Sequence, residues 1–407
     1  MNAPLRQPIE PDAAAGALIA DQAAPLAKKA RRARPARHAP VETPAGDAPF
    51  GGRLDSDRRR CRGAAVNPSG RFEPTALEAF DDGWESLGDL PALKTDVRLE
   101  TPRSVITRNE SPDIGFDRSI NPYRGCEHGC VYCFARPSHA YLGLSPGLDF
   151  ETRLTAKPDA AAVLERELAS PRYQPKTIAL GTNTDPYQPI EKEHRITRSI
   201  LEVLERTNHP VGIVTKSAMV VRDIDILQRM AEKGLARVAI SITTLDRKLA
   251  RAMEPRAATP ERRIAAVEAL SAAGIPTSVM VAPIIPALND GEIETILERA
   301  AAAGAREAGY VLLRLPLEVS DVFKDWLLRH YPDRYRRVLS IIREMRGGKD
   351  YDSTFGTRMK GEGPYAWTLG RRFELAAKRN KINVERQRLR TDLFVKPLGD
   401  GRQLSLF

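Results

Sequence analysis

Residues 121–137 read NPYRGCEHGCVYCFARP, with Cys126, Cys130 and Cys133 in a C-x-x-x-C-x-x-C spacing. Three thiolates on so short a loop converge on one centre, and soft sulfur ligands select iron–sulfur clusters or zinc. In a 4Fe-4S cube they would hold three corners and leave the fourth iron without a protein ligand. A structural zinc site would need a fourth ligand from His128, His139 or Cys61, and such sites usually pair two C-x-x-C knuckles where this loop has one. The whole chain has 4 cysteines in 407 residues. That is too few for a disulfide scaffold, so the crowding of three on one loop points to a metal site in a reducing compartment.

Outward from this loop the chain alternates. Helical patterns with apolar residues on one face begin near Pro158, Thr197, Arg222, Thr259 and Asn289, the last read as a helix N-cap. Between them lie short apolar runs, Thr177 to Leu180, Val211 to Val214, Val238 to Ile242, Thr277 to Ala282 and Tyr310 to Leu313, which read as buried parallel strands. Repeated βα units with right-handed crossovers wind into an open sheet or curl into a barrel, and about six units suggest a partial (β/α)6 barrel with its chemistry at the C-terminal strand ends. The expected divisions are a largely disordered region over residues 1–100, the barrel over 106–315, a helical and loop extension over 316–399, and a polar tail over 400–407.

The loop, with Tyr132 immediately before the third cysteine, resembles the signature of the radical S-adenosylmethionine (SAM) superfamily. In that family the methionine amino and carboxylate groups chelate the open iron. Further along, Gly181, Thr182, Asn183, Thr184 and Asp185 stand where the family binds the SAM amino group, although the usual acidic residue there is Glu. Lys216 after the third strand, and Ser241, Thr243 and Glu254 around the fourth, are similar to the spore photoproduct lyase branch, whose matching residues lie at the SAM carboxylate and ribose. Glu254 and Arg263 could instead form an ion pair. The stretch VAPIIP, with Pro283 and Ile284, resembles the adenine-binding motif; Pro283 and Pro286 are expected to stop regular strand pairing. The resemblance implies a radical SAM barrel, a 4Fe-4S cluster and SAM as cofactors, an external electron donor, and cleavage of SAM to a 5′-deoxyadenosyl radical.

For the substrate, the resemblance implies damaged or modified nucleic acid. The lyase relatives use a cysteine hydrogen donor beyond the cluster loop. This chain has none, leaving Tyr141, Tyr187, Tyr310 or Tyr351 as candidates. Alternatives are a protein or small-metabolite substrate, or a non-catalytic iron–sulfur or zinc adaptor. The net charge of +10 suits a polyanionic partner. Half of it lies in the first 62 residues, whose Pro- and Ala-rich composition predicts a disordered basic tail. Arg371 to Arg390 carries eight basic residues around Phe373, a candidate phosphate-binding stripe. The peptide Gln403, Leu404, Ser405, Leu406, Phe407 resembles the motif that binds the β sliding clamp of DNA polymerase III, a Gln anchor followed by apolar residues for a pocket. With 42% hydrophobic and 29% charged residues a wholly disordered chain is excluded. The longest apolar candidate, Ala273 to Leu288, is broken by three prolines, so no membrane span is expected. The N-terminus lacks a secretory pattern, which predicts a cytoplasmic protein.

Overall fold

The computed structural model describes residues 59–73 and 92–397. Short runs of aliphatic and β-branched residues become strands: β1 (Asp96–Leu99), β2 (Ile106–Arg108), β3 (Arg118–Ile120), β4 (Tyr123–Arg124), β5 (Arg153–Ala156), β6 (Ile178–Leu180), β7 (Val211–Thr215), β8 (Ala236–Ser241), β9 (Thr277–Ile284) and β10 (Glu307–Leu312). Six of them, β3 and β6 to β10, run parallel and adjacent, with β2 antiparallel outside β3. A second sheet of order β1-β5-β4 lies beside the cysteine loop, since β4 is part of that loop.

The helices are α1 (Asp149–Thr152), α2 (Ala160–Ala169), α3 (Glu191–His194), α4 (Ile196–Arg206), α5 (Ile224–Glu232), α6 (Arg247–Met253), α7 (Pro260–Ala272), α8 (Ile293–Ala302), α9 (Val319–His330), α10 (Pro332–Glu344) and α11 (Gly363–Arg379). Their starts follow local chemistry. Asp246 accepts from the Lys248 and Leu249 amides to cap α6, and Thr259 caps α7 ahead of Pro260.

Alternation along the strands sorts the core into two layers. Ile178, Leu180, Ile213, Val238, Ile240, Val279 and Val281 pack outward against Ile200, Leu204, Leu227, Val267 and Leu297 of the helices. Burying each such side chain contributes about 1.5–3 kcal/mol. Ala179, Val214, Ala239, Met280 and Ala282 point the other way, onto a concave face that Ile114, Phe116 and Met359 partly fill. The two edges of the sheet meet through loops. Arg358 donates to both carboxylate oxygens of Asp113 at 2.7 and 2.6 Å, and Leu312 N–H donates to Met359 at 2.9 Å. The loop between β2 and β3 is thereby tied to the segment on β10, closing a curled six-stranded parallel sheet without a strand at the seam.

Several expectations change. Residues 59–73 and 92–100 are built into the fold: Ala64, Ala65 and Val66 are buried, and β1 pairs with β5. The proline- and alanine-rich composition of the first 50 residues does not extend into these segments, and the basic tail before residue 59 lies outside the described residues. Pairing continues beyond Pro283 to Ile284, with a register irregularity opposite Tyr310 and Leu312 that accommodates the missing proline N–H. Asn289 does not cap a helix through its side chain. The stripe at Arg371 to Arg390 is partly committed within the fold, at three of its eight basic residues. Phe373 is buried against Tyr310, with ring centroids 4.8 Å apart, while Arg372 pairs with Glu294, Arg371 with Glu374 and Arg390 with Asp392. The clamp-like peptide lies outside the described residues.

Candidate active site around the cysteine loop

The loop leaves β3 at the C-terminal edge of the parallel sheet and turns twice at residues with positive φ, Gly125 (74°) and Gly129 (67°). A Cβ on Gly125 would lie 2.9 Å from the Phe150 carbonyl oxygen, so glycine is required there by both conformation and space. The Cys126 amide donates to Phe150, the Glu127 amide to Gln188 Oε1 at 2.9 Å, and the Val131 amide to Met253 at 3.1 Å.

Arg136 and Glu151, neither anticipated from the sequence, hold the loop from beneath. Both side chains are fully buried and paired. Arg136 donates to the carbonyls of Cys130 (2.9 Å), Pro146 (3.0 Å), Gly147 (2.8 Å) and Gly129 (3.3 Å). Glu151 also accepts the Gly63 and Ala64 amides at 2.8 and 2.9 Å. The signal available in the sequence is an arginine three residues after the last cysteine, but its charge partner Glu151 is itself held by the Gly63 and Ala64 amides, in a segment whose composition predicts disorder.

Cys126, Cys130 and Cys133 are enclosed, and burial is the largest cause raising each thiol above its ordinary value. Burial disfavours thiolates unless a cation stands beside them, and iron would supply that charge, so the three sulfur donors fit an iron–sulfur cluster. Among the described residues no three His, Cys, Asp or Glu side chains gather as ligands of a single ion. Cys61 is exposed, and His139 Nε2 lies 2.9 Å from the Arg153 carbonyl.

The loop after β6 is clamped to the start of the cysteine loop. Asn121 Oδ1 accepts the Asn183 and Thr184 amides at 3.0 and 3.3 Å, and Thr184 Oγ1 donates to Tyr123 at 3.1 Å. Thr182 lies at hydrogen-bond range of the same asparagine, 3.4 Å away. Asp185 accepts from Thr215 Oγ1 (2.6 Å), the Lys216 amide (2.8 Å) and the Tyr187 amide (2.9 Å), and lies 3.4 Å from His128 Nδ1. Burial alone would raise its carboxyl, but His128, Thr215 and Lys216 outweigh it and hold the group at about 2. Asp185 therefore ties β6, β7 and the cysteine loop together as a permanent anion.

On the other flank, the Tyr132 hydroxyl donates to Glu254, Thr243 Oγ1 lies 2.6 Å from the same carboxylate, and Arg263 pairs with its second oxygen. The ion pair expected between Glu254 and Arg263 is present and buried. Arg263 continues to the Ser241 carbonyl at 3.1 Å, and Lys216 Nζ sits 5.8 Å from the Tyr132 ring centroid. Ser241 Oγ is buried without a hydrogen-bond partner, which fits a missing polar group there. Asn289 donates to the carbonyls of Thr243 (2.7 Å) and Pro283 (3.0 Å) and accepts the Ile285 amide (2.6 Å), which locks the VAPIIP bend onto the end of β8. Because of the irregularity at Pro283, Ile284 packs in the outer core, and Ile285 joins Cys130, Val131 and Tyr132.

Of the four tyrosines, Tyr351 is the one brought to this rim. Arg314, just after β10, donates to Tyr351 Oη at 3.0 Å and stands over the Phe134 ring at 5.3 Å, next to Cys133. Tyr141 is exposed beside Phe72, Tyr187 is buried near Arg222, and Tyr310 packs beneath α11.

The family model described as the Radical SAM superfamily matches residues 120–300. An uncharacterized protein of Mycobacterium tuberculosis is 40% identical over 232 residues, spanning 56% of this chain and 68% of the relative. One from Methanocaldococcus jannaschii is 29% identical over 219 residues, spanning 54% and 78%. Among solved structures, a tyrosine-to-phenylalanine variant of spore photoproduct lyase aligns with a TM-score of 0.50 at 17% identity, covering 70% of this chain and 79% of that one, a likeness of fold. With the cysteine loop seated at the C-terminal edge of six parallel strands and these matches across it, the chain belongs to the radical SAM superfamily, whose enzymes work with a 4Fe-4S cluster and SAM.

Proposed function

We propose that Cys126, Cys130 and Cys133 are the cluster ligands and that the enzyme acts on damaged or modified nucleic acid in the cytoplasm, in a repair role. Cys126, Cys130 and Cys133 would hold the cluster, and the cluster with SAM would supply radical hydrogen-abstraction chemistry. This chain's residues supply position and charge. Lys216 neutralises the SAM carboxylate, and Ser241, buried and unpartnered, bonds the ribose. Asp185 and Glu254, both already engaged, act by holding the loops at Thr182 to Thr184 and at Tyr132 in place. Pro283 and Ile285 form the apolar side toward the adenine. Tyr351, oriented by Arg314, is the candidate hydrogen donor on the rim.

The observation that carries the nucleic-acid reading is the composition of that rim. Arg314 lies between Phe134 and Tyr351, and Arg358 stands 4.5 Å from the Phe355 ring centroid. Both guanidiniums are buried, Arg358 on Asp113, so the groups offered to a ligand are the more accessible rings of Phe134, Tyr351 and Phe355, which suit stacking against unstacked bases.

Anaerobic reconstitution with iron and sulfide tests the reading. The wild type should bind a cluster and release 5′-deoxyadenosine, each single Cys→Ala variant at positions 126, 130 and 133 should lose both, and Cys61→Ala should lose neither. Lys216→Ala should keep the iron and bind SAM at least about tenfold more weakly, a change of roughly 1.4 kcal/mol. Stoichiometric zinc without iron after reconstitution would overturn the ligand assignment. Turnover of a peptide or metabolite panel with none of ultraviolet-damaged oligonucleotides would overturn the substrate class.

A further inference from the structure

A second concavity lies behind the cysteine loop, outside the site just described. It has a volume of ≈ 640 Å³ and is walled by Arg59, Arg60 and Arg62 on one side and by Arg247, Lys248 and Arg251 of α6 on the other. Glu254 is the one carboxylate in its lining. That carboxylate is turned away, toward Tyr132, Thr243 and Arg263. We propose that this pocket holds the phosphodiester backbone of a nucleic acid.

Charge is the first argument. Among the described residues Arg60, Lys248 and Arg251 have no carboxylate partner, and Arg247 reaches only an exposed Glu261 at 3.9 Å. Arg247 and Arg251 are four residues apart on one helix face, a like-charged spacing that destabilises an isolated helix. Arg60, Arg247, Lys248 and Arg251, exposed around one cavity, repel one another, and a polyanion between the walls converts that repulsion into attraction while releasing its own counterions. The second argument is rigidity. Arg62 is buried and fixed by the Glu151 carbonyl at 2.8 Å and by Thr95 Oγ1 at 2.9 Å, so one wall is already in place before any ligand arrives. Shape is the third, since a concavity accepts an extended strand more readily than the convex face of a folded protein.

Position links the pocket to the chemistry. Its floor includes Ala252 and Glu254, and the same segment accepts the Val131 amide at Met253 and donates from the Arg256 amide to His128 at 3.3 Å. A strand held here lies one backbone segment from the cysteine loop. The proposal rests on the nucleic-acid reading above and assigns it a binding surface.

Fluorescence anisotropy of the reconstituted full-length protein with a labelled single-stranded oligodeoxynucleotide tests it, over a salt range of about 50–200 mM. The double variant Lys248→Glu/Arg251→Glu should bind at least about tenfold more weakly, and its log K against log salt should be shallower by about 1.4, the loss of two phosphate contacts on a single strand. Arg60→Glu, on the opposite wall, should weaken binding in the same direction. Release of 5′-deoxyadenosine with a chemical reductant should be unchanged, which shows that the variants fold. If the wild type binds and all variants bind equally well, the pocket assignment fails while the nucleic-acid reading stands. A wild type with no oligonucleotide affinity overturns both. Variants that keep oligonucleotide affinity but lose reduction by an acidic flavoprotein would make the pocket a docking site for an electron carrier and overturn the proposal.

Discussion

Arg136 shows how a single side chain can hold the backbone of the loop that carries three cysteines. Its guanidinium has no exposure, it reaches four loop carbonyls, and its charge is matched by Glu151, which is equally buried. Removing one partner of such a pair leaves an uncompensated charge in a dry interior, a loss of about 3–5 kcal/mol. Arg136→Leu should therefore lower equilibrium stability by about that amount in urea unfolding, and anaerobic reconstitution should recover much less iron. Arg136→Lys keeps the charge and loses the planar fork, so its loss should be intermediate. An unchanged urea midpoint in Arg136→Leu would mean that the loop stands without this support. The cysteines themselves were legible because their spacing alone implies convergence. Arg136 was not, because its role depends on Glu151 and on the Gly63 and Ala64 amides, which are 15 residues away and farther.

At the level of elements, the strands with continuous apolar runs, such as VGIVT in β7, could be read directly, as could the capped start of α7. β3 could not: three residues, RSI, give no pattern until β6 and β2 pair on either side of it. Ile284 and Ile285 exchanged environments for a related reason, since one irregularity at Pro283 flips every side chain beyond it. The seam between the two sheet edges belongs to the same category, being made by loops with no periodicity. Arg358 and Asp113 are largely buried there and bonded at two points. Arg358→Ala should cost about 1.5–3 kcal/mol and should raise amide hydrogen exchange in residues 109–117 and 354–361 while α4 and α7 keep their protection. Burial would raise the Asp113 carboxyl, but Arg358 and the Gly356 amide prevail and lower it. The stabilisation is then present above the ordinary value of 3.8 and lost as pH falls through the lower folded value, so acid should open the same seam. Exchange in residues 109–117 that is indifferent to the substitution would show that the edges are not coupled.

Across the whole molecule, the chemistry and the end of the described chain lie on opposite faces. The cysteine loop and the ends of β6 to β10 share one face. Beyond α11 the chain straps across the other: the Asn383 amide donates to Arg306, Arg390 to Gly234 and Val395 to Thr207, and Phe394 packs on Tyr173 and His209. The reading of Gln403 to Phe407 as a clamp-binding peptide is a proposal that rests on its sequence. Leu406 and Phe407 entering a preformed apolar pocket would contribute roughly 1.5–3 kcal/mol each, and the ordering of the peptide opposes them. With the glutamine anchor, a micromolar contact of about 8 kcal/mol is within reach, enough to raise local concentration on DNA without altering the reaction. Deleting residues 403–407 should abolish binding to an immobilised β sliding clamp in surface plasmon resonance, with release of 5′-deoxyadenosine unchanged. Clamp affinity that survives the deletion would move the contact elsewhere on the surface. An intact protein with no affinity at high micromolar clamp would remove the replication machinery from the account and leave the rim and the basic pocket to recruit nucleic acid by stacking and charge alone.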